Sequence, residues 1–291
     1  MMADRERVGG QTWIVGVDGS ENSVHALNWA VRHAPNRAST LRIIQAWSVP
    51  TTGGLEMMPA RIDDFRPVTA YEFLDEVTAE LQPHGVAVEG LVTHGTASFV
   101  LLDACDDADL LIVGSRGHGG FARLLLGSTS HQCATHARIP VVVVPSTADA
   151  DAAIESIVVG MDASPGARAA LAWTLEFASI DVVVHTVGAW SRAGWIRADL
   201  EDADIDIDAA LVEFHTVVGE VENTRSESGR TERSFVNGHP TTALLDASAV
   251  ADLLVVGERG RRGLAAALLG SVATEVLHRS DRPVVIVPTE E

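Results

Sequence analysis

Two tandem α/β domains, each built on a doubly wound, five-stranded parallel sheet, are what this 291-residue sequence predicts. Three observations carry the prediction. First, the chain repeats itself. Ala108–Pro145, ADLLIVGSRGHGGFARLLLGSTSHQCATHARIPVVVVP, matches Ala251–Pro288, ADLLVVGERGRRGLAAALLGSVATEVLHRSDRPVVIVP, at about half its positions without a gap. Asp18 in VGVDGS answers to Asp162 in VGMDAS, and Gly114 to Gly257, at offsets of 144 and 143 residues. A period that long marks a duplicated domain, since solenoid repeats are several-fold shorter. Second, short and almost wholly apolar runs alternate with helical patterns, as in a parallel sheet covered on both faces. Third, Ala, Val and Leu dominate a composition that is 46% hydrophobic but only 5% aromatic, enough to bury two cores. Domains are expected over 9–146 and 154–289, joined by the small, acidic linker Ser146–Glu155.

In the first copy, Trp13–Val17 reads as a strand ending at Asp18. A helix then starts at Ser20, whose hydroxyl suits an N-cap, with Val24, Leu27, Ala30 and Val31 on one face. Leu41–Trp47 is the second strand. A loose Gly/Pro stretch precedes a helix over Val68–Leu81, stopped by Pro83 and Gly85. Val86–Val92 is the third strand, Ala97–Asp107 a helix and Leu110–Val113 the fourth strand. After a glycine loop come a helix over Ser128–Ala137 and the final strand Val141–Val144. The second copy repeats this course, with strands at Ile157–Met161, Val182–Val187, Arg230–Val236, Leu253–Val256 and Val284–Val287. The last strands are apolar enough to need pairing or covering if they lie at a sheet edge. In such sheets a crevice opens at the strand C-termini where the connections diverge, so the loops after the first and fourth strands should meet there.

Charge excludes some functions. The net charge of −19 opposes non-specific binding to nucleic acid. All 21 basic residues are Arg; there is no Lys. A Walker loop, GxxxxGK[ST], is therefore excluded. No apolar stretch approaches the roughly 20 residues of a membrane helix. The segment Met1–Gln11 lacks the apolar core of a signal peptide, so a cytoplasmic location is expected. Cys105 and Cys133 fall in apolar helical patterns and read as buried, inert thiols.

The glycine loops carry the chemistry. Gly114, Gly117, Gly127 and Ser128 recur as Gly257, Gly260, Gly270 and Ser271, with the spacing G-x2-G-x9-G-S. Glycine lets backbone N–H groups approach an anion, and the helix opening at the serine adds unpaired N–H groups and a partial positive charge. The pair makes a phosphate cradle that needs no Lys; the plain alternative is that the glycines serve tight strand–helix turns. The fragment Gly117–Ala122 loosely imitates a dinucleotide fingerprint. It follows the fourth strand rather than the first, and the second copy breaks it with Arg261 and Arg262.

These glycine series, an Asp ending the first strand and a PVVVVP-like final strand together resemble the ATP-binding branch of the universal stress protein family, over essentially the whole chain, twice. The resemblance implies an adenine nucleotide alpha hydrolase-like fold with strand order 3-2-1-4-5. It implies that Asp18 and Asp162 contact ribose or adenine, and that Ala46 and Ala189 meet adenine through their backbone. Gly114, Gly117, Gly127 and Ser128 would hold ribose and phosphates, as would Gly257, Gly260, Gly270 and Ser271. It implies ATP as ligand, with Mg²⁺ accompanying the phosphates, and pairing through the C-terminal strands: the two halves as a pseudo-dimer, and two chains as a homodimer. For the two aspartates, a turn-capping role ahead of Ser20 and Ser164 is the alternative.

The copies differ. Ser115 becomes Glu258, a charge that would repel phosphate if turned inward; Arg123 becomes Ala266; His118 and Gly119 become Arg261 and Arg262. Asp202, Asp204, Asp206 and Asp208 with Glu213 imitate a calcium loop, but Ile207 stands where its sharp turn needs Gly, and a solvated acidic approach to a helix is preferred. The histidines, His118, His131 and His136 among them, form no metal pair that the second copy repeats, and no metal site is expected. Trp47 and Trp190 are placed near the crevice mouth, with stacking on a base as the less favoured option.

The expected function is that of a nucleotide-dependent regulator or stress-response factor and not an enzyme. No general base recurs in both copies besides the aspartates. Arg116 and Arg259 leave a weak ATPase open. The other alternative is a structural dimer that binds no nucleotide, or AMP or cyclic AMP. An adenylating ligase is disfavoured because an SGGxDS-type loop after the first strand is replaced by VDGS and MDAS.

Overall fold

A computed structural model describes residues 10–34, 38–48, 68–81, 87–117, 126–190, 207–224, 230–260 and 268–289. In the first half, β1 (Gln11–Val17), α1 (Glu21–His33), β2 (Ala38–Trp47), α2 (Val68–Leu81) and β3 (Ala87–His94) are followed by α3 (Ala97–Ala104). Then come β4 (Leu110–Gly114), α4 (Ser128–His136) and β5 (Val141–Val144). The second half repeats them as β6 (Ser156–Met161), α5 (Pro165–Phe177), β7 (Val183–Trp190), α6 (Ile207–Glu222), β8 (Thr231–Asn237), α7 (Pro240–Ser248), β9 (Leu253–Gly257), α8 (Ser271–Arg279) and β10 (Val284–Val287). The helix expected over Ala97–Asp107 stops at Ala104 and tightens into a 3-10 turn, Cys105–Asp107. α1 starts where its cap chemistry directs, with Ser20 Oγ accepting the Ser23 N–H at 3.2 Å.

Ten strands form one sheet in the order β3-β2-β1-β4-β5-β10-β9-β6-β7-β8. Each half thus has the order 3-2-1-4-5, parallel throughout, and β5 meets β10 antiparallel with Val142 opposite Val285. The final strands therefore lie at the centre of the sheet rather than at an edge. β5 pairs with β4 on its other side and β10 with β9, so both edges of each are filled. This corrects the expectation of a homodimer through the C-terminal strands: the pseudo-dimer within one chain uses the hydrogen-bonding edges that a second chain would need.

One face of the sheet carries α1, α2, α5 and α6 over a core that runs without a break from Trp13 and Leu27 to Leu171 and Val218. The opposite face carries α3, α4, α7 and α8 over Leu101, Leu111, Leu244 and Leu254. Cys105 and Cys133 are buried there as free thiols, and burial pushes both up to about 12. Of the candidate calcium-loop acids, Asp202, Asp204 and Asp206 lie outside the described residues, and Asp208 and Glu213 sit on α6. Among the described residues no cluster of three or more His, Cys, Asp or Glu could hold a metal, and no helix is long and apolar enough to cross a membrane.

Two outcomes follow from this packing. Val142→Asp would bury an unpaired carboxylate at the β5–β10 seam and lower unfolding free energy by about 3 kcal/mol or more, whereas Val250→Asp, at 88% exposure, would stay within about 0.5 kcal/mol; urea unfolding measures both. Both thiols should resist a thiol-exchange reagent at pH 8 until the protein is unfolded. Because they ionise less readily folded than unfolded, the stability they contribute is complete below the ordinary thiol value near 9 and is lost as pH rises toward about 12.

Candidate functional site

The register brings the ends of three strands in each half to one level. Val17 pairs with Gln45 and Gly16 with Val113, so Asp18 follows β1 beside Ala46, one residue past the level of Gly114. In the second half Met161 pairs with Gly188, which sets Asp162 beside Ala189. Ala46 is half-buried and Ala189 buried.

Each aspartate is held by its own turn. Asp18 Oδ1 accepts the Ser20 N–H at 3.0 Å and the Ser20 hydroxyl at 2.6 Å, and Asp162 Oδ1 accepts the Ser164 N–H at 3.1 Å. The turn-capping role is real, and it uses one carboxylate oxygen. The other oxygen lies against the glycine loop. A Cβ on Gly117 would fall 2.2 Å from Asp18 Oδ2, and one on Gly260 2.5 Å from Asp162 Oδ2. Only glycine at these positions lets the loop after the fourth strand close onto the aspartate, so the two loops meet as expected. The residue between Asp and Ser takes a left-handed conformation in both copies, at Gly19 (φ 81°) and Ala163 (φ 61°).

Gly114 and Gly257 have a packing reason of their own. A Cβ on Gly114 would lie 2.7 Å from the Asn22 carbonyl oxygen, and one on Gly257 2.4 Å from the Gly166 carbonyl carbon. They let the first turn of α1 or α5 rest on the end of the fourth strand. Gly127 and Gly270 differ from these. Both have ordinary negative φ (−77° and −61°), and a Cβ there would find its nearest atoms at 3.3 Å and 3.1 Å. Both are helix N-caps that provide no side-chain cap, so Ser128 and Ser271 open helices whose first turn is uncapped. The Gly127 N–H bonds the Ser115 carbonyl at 2.7 Å and the Gly270 N–H the Glu258 carbonyl at 2.8 Å, which ties each helix start to the loop.

The copies solve one local problem differently. In the first, the Asn22 side chain donates to Ser115 Oγ (3.2 Å) and to the Arg116 carbonyl (3.0 Å). In the second, Gly166 stands at the position of Asn22 and its backbone packs directly on the loop. Glu258 does not project its charge into the cleft unopposed: Oε1 accepts the Thr289 N–H at 3.2 Å and lies 3.5 Å from the Arg259 guanidinium. Sequence reasoning missed Asn22 and Thr289, because neither recurs at its equivalent position. Trp47 packs edge-on against His94 with ring centroids 4.7 Å apart, while Trp190 keeps a buried Nε1 without a hydrogen-bond partner. His118, Gly119, Gly120, Phe121, Ala122, Arg123, Arg261, Arg262 and Ala266 lie outside the described residues.

The fold and these clefts define a class: a tandem, doubly wound α/β protein with two loop-built clefts at strand C-termini. The chain belongs to the universal stress protein family, whose model matches residues 11–145 and again 153–288. Among its relatives, a universal stress protein of Mycolicibacterium smegmatis is 31% identical over 289 residues, covering 94% of this chain and 96% of that one. A universal stress protein of Mycobacterium tuberculosis is 30% identical over 304 residues, covering 94% and 93%. Among solved structures, a universal stress protein of Archaeoglobus fulgidus shares the fold with a TM-score of 0.72 at 21% identity, covering 96% of this chain and 98% of that one.

The contact between glycine and carboxylate is open to a direct check. Gly117→Ala forces Asp18 out of place and should cost about 1–3 kcal/mol. Adding Asp18→Ala should recover a large part of that loss, a non-additive cycle that urea unfolding reads.

Proposed function

We propose that each cleft binds a nucleoside phosphate, ATP with Mg²⁺, and that the protein acts as a nucleotide-dependent regulator in a stress response. The observation that carries this reading is the uncapped start of α4 and α8 at a glycine. The backbone φ there does not need glycine, although a Cβ would meet its nearest atoms tightly, and the N-cap without a side chain leaves the first-turn N–H groups open to an anion from outside, which supports the reading. Ser128 and Ser271 would meet phosphate oxygens through their N–H groups, with Gly127 and Gly270, whose own N–H groups bond the Ser115 and Glu258 carbonyls, letting the phosphate come close; Gly117 and Gly260, closed onto Asp18 and Asp162, would hold the loop against the sugar. Ala46 and Ala189 stand beside those aspartates, where a base would lie. Gly114 and Gly257 keep a supporting part, since helix backbone already occupies their open side.

Hydrolysis is slow or absent in this reading. The chain has no Lys to neutralise a γ-phosphate, and Arg259 is engaged by Glu258. The first cleft binds the triphosphate more tightly than the second, because Ser115 puts no carboxylate beside the loop where Glu258 stands in the other copy.

Titration calorimetry of ATP with magnesium should give two classes of site. Gly127→Leu should remove the tighter class and Gly270→Leu the weaker, each by at least about tenfold in affinity, with cooperative thermal unfolding showing that each variant is folded. Mass spectrometry of ligand carried through purification should find ATP. No heat from ATP, with neither substitution altering any nucleotide response, defeats the reading; rapid turnover would move it to an enzyme.

A further inference from the structure

The two copies place an arginine at the same point of the glycine loop and treat it differently. A Cβ set on Gly127 would lie 3.5 Å from Arg116 Cα, and one set on Gly270 3.4 Å from Arg259 Cα, so each arginine stands beside the start of α4 or α8. Arg116 is exposed and makes no ion pair among the described residues. Its neighbour Ser115 is buried and uncharged, and the Ser115 hydroxyl accepts from Asn22 Nδ2 at 3.2 Å.

In the second copy the residue before the arginine is Glu258, only 8% exposed. Its Oε1 lies 3.5 Å from Arg259 Nη2 and accepts the Thr289 N–H at 3.2 Å. The Arg259 side chain is drawn in beside it, with 26% of its surface exposed. The Gly270 N–H bonds the Glu258 carbonyl at 2.8 Å, so carboxylate, guanidinium and helix start belong to one turn. Pulling Arg259 away toward a ligand would leave Glu258 buried with a single neutral donor, which is costly for a carboxylate. The first cleft therefore offers a guanidinium that the second withholds.

We propose that the two clefts select phosphate chains of different charge: the first, with Arg116 over the phosphates, prefers a nucleoside triphosphate, and the second, with Glu258 holding Arg259, prefers a nucleoside monophosphate. The inference rests on the reading of the clefts as nucleotide sites, and adds the ligand class of each and the residues that set it. A helix start supplies roughly half an elementary charge, which suits a single phosphate group but not a triphosphate chain. In the first cleft the Arg116 guanidinium adds a full positive charge and a fork of donors matched to phosphate oxygens. In the second, Glu258 and Arg259 cancel, and the helix start acts alone. The chain has no Lys that could make up the difference.

Titration calorimetry of the full chain with one cleft closed at a time tests it. Gly270→Leu leaves the first cleft and Gly127→Leu the second, and each is titrated with ATP and with AMP in the presence of magnesium. The first cleft should bind ATP at least about tenfold more tightly than AMP, and the second should bind AMP about threefold or more tightly than ATP. Arg116→Gln beside Gly270→Leu should lower ATP affinity about tenfold and AMP affinity about threefold or less. Glu258→Gln beside Gly127→Leu keeps an acceptor for the Thr289 N–H but removes the charge. It should raise ATP affinity about tenfold while AMP affinity stays within about threefold, and Glu258→Ser, which installs the first copy's residue, should act in the same direction. Cooperative thermal unfolding identifies the folded variants. The proposal is overturned if both clefts rank the two nucleotides alike, or if the Arg116 and Glu258 variants leave the ratio of ATP to AMP affinity unchanged. Absence of any nucleotide binding in both single-cleft chains overturns the nucleotide reading along with it.

Discussion

The antiparallel meeting of β5 and β10 is the constraint on which the rest of the molecule depends. Val141–Val144 and Val284–Val287 are buried on both faces and carry no charge, bulge or proline that would protect an exposed edge. Each needs a neighbour on both sides, and the tandem arrangement provides one for each inside a single chain. Because the pairing is antiparallel, the parallel strands of one half point opposite to those of the other. The C-terminal ends of the two sets therefore face opposite ends of the sheet. Among the described residues, each cleft is built from one half's own loops. The seam fixes where the clefts are without entering them.

The order of elements was legible in the sequence because parallel strands buried on both faces leave continuous apolar runs. LLIVG and LLVVG, with five and five residues, became β4 and β9. Helix starts were legible through Ser20 and Ser164, whose hydroxyls accept from the third residue on. The central position of β5 and β10 was not, since an apolar run at an edge and one at the centre look alike until the partner is known. The packing part played by Gly114 and Gly257 was hidden for the same reason: the approach of α1 to β4, or of α5 to β9, joins residues some ninety apart, and spacing along the chain does not encode it. The Asp–glycine contact sits between these extremes. The sequence pattern pointed to both partners, and the structure added the distance.

Duplication lets the two clefts be compared as one experiment with two outcomes. Both keep the Asp turn, the glycine against its carboxylate and the uncapped helix, whereas the groups behind the loop are free to differ. Asn22 reaches across to Ser115 Oγ and the Arg116 carbonyl, and its Oδ1 is buried without a hydrogen-bond partner. In the other copy the missing side chain at Gly166 lets backbone meet backbone, and the added carboxylate at Glu258 is taken up by the Thr289 N–H and the Arg259 guanidinium. A buried carboxylate is costly unless paired. Of the partners of Glu258, Arg259 lies next to it in the loop that closes on Asp162, and Thr289 follows β10. Its charge is thus met partly from the loop itself and partly from the chain after β10. The duplicated fold keeps the Asp turn, the glycine against it and the helix start in both copies, and varies the contacts that hold the loop onto the first helix of each half.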